Sequence, residues 1–512
     1  MTRYSSQMAC FEDESLFHLT SVVVPSAPLF DHRGEGDGTL RTTLCAGAAA
    51  LLAVSIPARA DAPPASGGYR LDAGFLQLMG EGSSGAPAGV THDLTAPGAT
   101  EFDYADGSRL VIKTTEYSRG SVSVVGLIGN GRLGLSKSLA GLSWATAFLP
   151  LGGTPWASYE QIEHWLNASG HAVQLNFVPK TRAFQFDGTS STSDLGYQIA
   201  LLCGLARHPA VSDVVLRKAA EFGSTLNAQI NSNPGLVFSR GVQRAVTGLG
   251  ARYSELPVKD EIDVVRVDAL ERIVKTGVAG PIDMAVVGDL DVAAAEAVFR
   301  GRCLQSGVVG PPRVSLPLHA SFARGKHAWS FVRVDNKGPA GAKGIFWSTA
   351  VYGRSDRHRI ALDLLAEVLK VRVSVDRSKP GARVVPVVSA LQGYPRDSFG
   401  YFGLGLESDA FPLGGIEPLV RHELDRLAHD PHLDGEVKAV LDARAASMHA
   451  AMVSNSKWAE TLAESLTEPA ALDRLLVSSP PDMRTAVEDT RNAALWLLQE
   501  NVIALVEVNP RA

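Results

Sequence analysis

Gly141-Leu142-Ser143-Trp144-Ala145-Thr146-Ala147-Phe148-Leu149-Pro150-Leu151-Gly152-Gly153-Thr154 is apolar, bounded by glycines, and holds no His, Cys, Asp or Glu. Apolar spacing predicts a helix over residues 138–148, on which Trp144 and Phe148, four apart, share one face. The opening Gly-Leu-Ser-Trp-Ala departs from the G-x-S-x-G nucleophile elbow at its last position, and its serine falls within helical pattern rather than on a strand-to-helix turn. A serine hydrolase is therefore not the reading.

Around this stretch lies a chain of 512 residues, too long for a single core, so at least two domains are expected. It is 45% hydrophobic and 20% charged with a net charge of -6, and no long Lys/Arg block appears. That balance argues against nucleic acid as a partner. The one long apolar run, residues 44–56, follows Arg41 and ends at Ala58-Arg59-Ala60, the charged, apolar, small-residue order of a secretory signal. It is short for a membrane span, so cleavage after Ala60 with no span remaining is expected. Polar residues 1–39 precede it, and a true start near Leu40 with the signal at about 40–60 would account for them. Export predicts a periplasmic or secreted protein retaining Cys203 and Cys303, whose pairing spacing alone does not decide.

Residues 61–98, rich in Ala, Gly, Pro and Ser, read as a flexible tether. Strands are then predicted at 109–114 and 121–128, a helix at 158–168, strands at 171–178 and 182–186, and helices at 194–206 and 213–228. A strand at 282–288 and a helix at 292–300 close a first domain, 99–302, and residues 303–326 read as a linker. In the second domain, 327–512, the order recurs: strands at 329–334 and 344–352, a helix from Arg357, strands at 383–390 and 401–407. Helices at 416–428, 435–452, 456–466 and 483–499 follow, then a strand at 502–508. The expected class is α+β: two homologous units, each a mainly antiparallel sheet with helices packed on it.

The two units resemble the N- and C-terminal domains of the pitrilysin/insulinase-like (M16) metallopeptidases. The resemblance rests on residues 106–113, the 141–154 frame, Met284-Ala285-Val286-Val287-Gly288-Asp289-Leu290-Asp291, Arg377 with Gly381, and the helix beginning near Gly435-Glu436-Val437-Lys438. It implies an M16/LuxS-like metallohydrolase fold. The family's zinc motif, H-x-x-E-H, sets two histidines four apart on a helix with a glutamate between them as general base. Laid on this chain, it puts Trp144 and Phe148 at the histidine positions and Ala147 at the base. Of the two glutamates seven apart that family members carry on a later helix, Glu221 matches the first, and the ligand position falls on or near Ala228. In the second unit Arg377 matches a substrate-binding arginine, while Val384 stands where the family has a tyrosine.

The resemblance thus implies no catalytic residue and no metal in this chain; its degenerate zinc-site positions are Trp144, Ala147, Phe148 and Ala228. It points to a non-catalytic subunit that pairs with a homologous zinc-bearing chain to enclose a peptide, with strand addition near residues 182–186. A stand-alone peptide-binding or scaffold protein is the alternative. A zinc endopeptidase with a relocated site is a third reading, which predicts stoichiometric zinc. Gly129-Asn130-Gly131-Arg132-Leu133-Gly134 spells G-x-G-x-x-G after a strand, but no acid stands about 20 residues on, so a glycine-rich turn is expected. His422, His429, His432 and Asp434, and likewise Glu163, His164 and His171, lack metal-ligand spacing.

Overall fold

A computed structural model of the chain describes residues 69–80, 82, 87–245, 256–305, 330–336, 341–348, 356–375, 383–385, 401–408, 416–468, 471–472, 482–500 and 502–510. The first sheet takes β1 (Val90–Leu94), β2 (Ala99–Asp103), β3 (Arg109–Thr114), β4 (Ser121–Ile128), β5 (Asn176–Pro179), β6 (Phe184–Ser191) and β7 (Ile282–Gly288) in the order β1-β2-β3-β7-β4-β6-β5. Neighbours are antiparallel except β3 and β7, which run parallel. The second sheet takes β8 (Ser330–Asn336), β9 (Gly341–Ser348), β10 (Arg383–Val385), β11 (Tyr401–Ser408) and β12 (Val502–Pro510) in the order β10-β11-β9-β12-β8, with only β8 and β12 parallel. Read from its other end, that order repeats β3-β7-β4-β6-β5. In each five-strand set the last strand returns between the first two, β7 between β3 and β4 and β12 between β8 and β9, so the duplication expected from the sequence is written in the topology.

The first unit carries α1 (Ala73–Met79), α2 (Lys137–Ala140), α3 (Tyr159–Ala168), α4 (Leu195–Arg207), α5 (Asp213–Ser232), α6 (Pro234–Ala245), α7 (Lys259–Asp263), α8 (Val267–Gly277) and α9 (Val292–Arg302). The helices expected at 158–168, 194–206, 213–228 and 292–300 are present, whereas α1, α6, α7 and α8 are not among those expected. The second unit carries α10 (Asp356–Val375), α11 (Ile416–His429), α12 (Leu433–Met452), α13 (Asn455–Ser465) and α14 (Met483–Gln499). Polar caps start several of them: Ser158 and Gln161 form a capping box on α3, and Asp291 and Asp482 accept backbone N–H groups at the starts of α9 and α14.

Strands β4 and β7 are buried on both faces, which accounts for their nearly unbroken apolar runs. On one face Val122, Val124, Ile128, Met284 and Val286 meet α4, α8 and α9 of their own unit. On the other, Val125, Leu127, Ala285 and Val287 meet Trp458, Ala459, Leu462 and Ala463 of α13, a helix of the second unit. The exchange is reciprocal. Helix α6 of the first unit packs on β8, β9 and β12 of the second, with Phe238 against Phe346 at 6.0 Å between ring centroids. Phe238 fits because Gly344 has no side chain; a Cβ there would lie 2.1 Å from the Phe238 ring. Each exchanged helix follows a 20-residue helix, α5 or α12, after a short connection.

Three boundaries differ from expectation. Within the expected tether, Phe75 and Met79 of α1 are fully buried against Ile162, Leu166, Ala200 and Leu201, and Asp72 caps the helix through Gly74. A composition dominated by Ala, Gly and Pro hides two apolar residues one helical turn apart. The sheet also begins at β1, before Ala99. The linker cannot begin at residue 303, because Cys303 is buried and bonded to Cys203 of α4 with Cα atoms 5.0 Å apart. The remainder of that linker, 306–326, lies outside the described residues. No described helix is long and apolar enough to cross a membrane; the apolar run at 44–56 lies outside the described residues.

Candidate functional site

The 141–154 stretch forms a 3-10 helix, Ser143–Gly152, rather than the α-helix its spacing suggests. Ser143 Oγ donates to the Ala140 carbonyl at 2.8 Å and Thr146 Oγ1 to the Ser143 carbonyl at 2.6 Å, each pulling the backbone toward the tighter turn. Pro150 lacks an N–H and disfavours α geometry at Leu149. With three residues per turn, positions four apart point about 120° away from each other. Two ligands at 144 and 148 would therefore not share a face, as an H-x-x-E-H helix requires.

The side chains close the space. Trp144 and Phe148 are buried and Ala147 is partly buried. The Trp144 ring lies on α5 at Gly223, where a Cβ would stand 2.7 Å from its Cη2, and Phe148 meets Phe222 with ring centroids 5.4 Å apart. Trp144 Nε1 is buried without an acceptor among the described residues, and an indole N–H offers a hydrogen rather than a lone pair. The residues present do not fit zinc.

Helix α5 turns Val215, Ala219, Phe222 and Gly223 inward, whereas Ala228 is exposed. The position expected to hold the third ligand thus looks away from Trp144 and Phe148. The inward stripe follows 215, 219, 222 and 223, and 228 falls outside it. Glu221 is exposed and paired with Lys218 at 3.1 Å. Beside the start of the stretch, Glu261 accepts the Val258 N–H at 2.9 Å and lies against Gly141. Arg377 and Gly381 lie outside the described residues; Val384 is paired with Leu406 in β10.

The other signals resolve into structure. Gly131–Gly134 is a short 3-10 turn, and the buried Arg132 donates to the Pro179 carbonyl at 2.5 Å and to Thr181 Oγ1 at 2.8 Å, clamping the β5–β6 turn. Among the described residues no group of three His, Cys, Asp or Glu side chains converges to hold a metal. His171 instead pairs with Asp194 at 2.8 Å and stacks on Tyr197 at 3.8 Å and Trp165 at 5.6 Å between ring centroids, a cluster no spacing announced. Residues 182–186 are not a free edge, since β6 is covered by β5 over Phe184–Asp187; β5 is the edge strand, next to the 3-10 helix.

No protein-family model and no curated protein matches the sequence. Solved structures do match the fold. The periplasmic protease PqqL from Escherichia coli is similar with a TM-score of 0.64 at 16% identity over 88% of this chain, and the ferredoxin protease FusC, in complex with Arabidopsis ferredoxin, with a TM-score of 0.61 at 14% over 90%. A peptidase M16 inactive domain from Pseudomonas fluorescens is similar with a TM-score of 0.60 at 15% identity, covering 81% of this chain and 98% of that one. The chain has the M16 peptidase fold. It spans 49% of the length of FusC and of PqqL, which corresponds to about half of such a protein.

Proposed function

We propose that the chain is a non-catalytic M16-like subunit that pairs with a homologous zinc-bearing chain and supplies one wall of a peptide-processing chamber. The observation that carries this reading is the Trp144 and Phe148 plug, built on a 3-10 backbone that separates the ligand positions. The half-length match to FusC and PqqL supports a second half supplied by another chain. No resident cofactor is assigned; zinc belongs to the partner. The chain brings the edge strand β5 beside an apolar surface of Ala147, Leu151 and Phe222, suited to an extended peptide rather than to bond cleavage.

The disulfide supports an oxidising compartment. Cys203–Cys303 is buried and joins residues 100 apart, an arrangement suited to an oxidising space, so we place the protein in the periplasm or outside the cell.

The test is to express the chain with a homologous chain bearing an intact H-x-x-E-H and to measure co-purification, zinc content and peptide cleavage, each alone and together. A complex with zinc in the partner only, and cleavage dependent on that partner, is expected. Stoichiometric zinc in the isolated chain would overturn the reading. A chain that binds peptide but forms no complex would be a stand-alone peptide-binding scaffold.

A further inference from the structure

At both ends of the edge strand β5, buried side chains take up the main-chain groups that would otherwise continue the edge. Before its start, Gln198 of α4, fully buried, engages both backbone groups of Gln174: its Oε1 accepts the Gln174 N–H at 3.0 Å and its Nε2 donates to the Gln174 carbonyl at 2.6 Å. Asp194, which precedes α4, accepts the Ala172 N–H at 3.0 Å. The bridge between Val173 and Ser190 keeps the register of the pairs from Asn176–Asp187 to Pro179–Phe184, so the chain bends out of the ladder at 174–175 and rejoins it. Gly188 makes room for the bend, since a Cβ there would lie 1.9 Å from the Gln174 carbonyl oxygen and 2.6 Å from Gln198 Nε2.

The glycine-rich turn Gly131–Gly134 closes the other end. The buried Arg132 holds the Pro179 carbonyl and Thr181 Oγ1 through its guanidinium, while the Arg132 and Leu133 N–H groups donate to the Lys180 and Thr181 carbonyls at 3.2 and 3.0 Å. Gly131 permits this approach: its φ is 56°, and a Cβ would stand 2.4 Å from the Ala183 nitrogen. Pro179 has no N–H to offer, and the Lys180 N–H turns back onto the Val178 carbonyl at 3.0 Å.

We propose that Gln198 and Arg132 are positioning residues that confine strand addition on the first sheet to residues 175–178, so that a docked peptide is held over about 13 Å in one register. The inference rests on the reading of the chain as a peptide-binding wall. Alternate residues of an edge strand turn both N–H and C=O outward, so four residues offer two such positions and an added strand finds at most about four backbone hydrogen bonds. Main chain beyond this stretch finds no ladder. The occupant that fits is one short extended segment of an unfolded polypeptide.

Fluorescence anisotropy with the full chain tests the confinement. Decapeptides tiled from unfolded casein are screened, and the tightest binder, labelled with fluorescein, is shortened stepwise and then given a single N-methyl group at each position in turn. Affinity is expected to change less than about twofold between ten and six residues. N-methylation should weaken binding roughly three- to tenfold at two positions, two residues apart, and nowhere else. Gln198→Leu and Gly188→Ala each remove the bend at 174, so either should add a further sensitive position and restore a gain with length. Arg132→Met, which frees the Pro179 carbonyl, should spread sensitivity toward the opposite end of the probe.

Sensitive positions spread over more than four residues in the wild type, or a pattern identical in all three folded variants, overturn the confinement and leave the peptide-binding wall standing. Binding indifferent to N-methylation at every position, or no binding at all, removes strand addition itself and the inference with it.

Discussion

The ring of Trp144 occupies the space above Gly223, so closely that a single methyl group on Gly223 would stand 2.7 Å from Trp144 Cη2. Two residues 79 positions apart thus close the space between the 3-10 helix and α5. One supplies the bulk and the other withholds it.

Gly223→Ala is accordingly expected to be destabilising. Replacing a mid-helix glycine gains about 1 kcal/mol of helix propensity, but overpacking against a rigid ring costs roughly 1–3 kcal/mol. In a Trp144→Ala background the contact with the ring is gone but that with Ile262 Cγ2, also 2.7 Å from the added Cβ, remains, so the same change should cost less than in the wild type. Thermal midpoints of the four proteins check that the two changes are not additive.

Restoring the family residues should not restore the site. The triple variant Trp144→His, Ala147→Glu, Phe148→His is expected to bind far less than one equivalent of zinc, because the 3-10 backbone holds positions 144 and 148 about 120° apart. Metal analysis after gel filtration decides it. One equivalent bound would mean the segment rewinds to an α-helix around zinc.

Cys203 and Cys303 close a long loop through the core. Cys303→Ser should lower stability by about 4–5 kcal/mol, the loop-closure estimate for such a span. Thiol labelling of the oxidised protein should find neither cysteine, and denaturation without reductant should leave both unlabelled.

Phe238 and Trp458 hold the exchanged helices. Phe238→Ala and Trp458→Ala should each cost about 3–5 kcal/mol, and Gly344→Ala should resemble the first, because its Cβ meets the Phe238 ring at 2.1 Å. Limited proteolysis should then cut near α6 or α13 before either sheet is degraded.

Much of the architecture was legible. Apolar runs located β4, β7, α4, α5 and α14 within a few residues, because each buries a continuous stripe whose period is local. The absence of donors at 144, 147 and 148 was equally plain, since side-chain chemistry is read one residue at a time. The α1 strap was not legible, because Phe75 and Met79 are two apolar residues in a background that otherwise reads as a tether. Nor was the face presented by Ala228, which depends on how α5 is rotated against the core. The His171–Asp194 pair joins groups with no periodic relation.

The sequence by itself determined that the chain is built from two similar α+β units and that its motif carries nothing able to bind zinc. Composition and period are local properties, and both survive without knowledge of neighbours. Tertiary structure decided that Cys203 meets Cys303, that α6 and α13 each cover the other unit's sheet, and that residues 143–152 wind as a 3-10 helix. An apolar stripe states that it must be buried but not against what; that choice belongs to the sum of contacts across the whole fold.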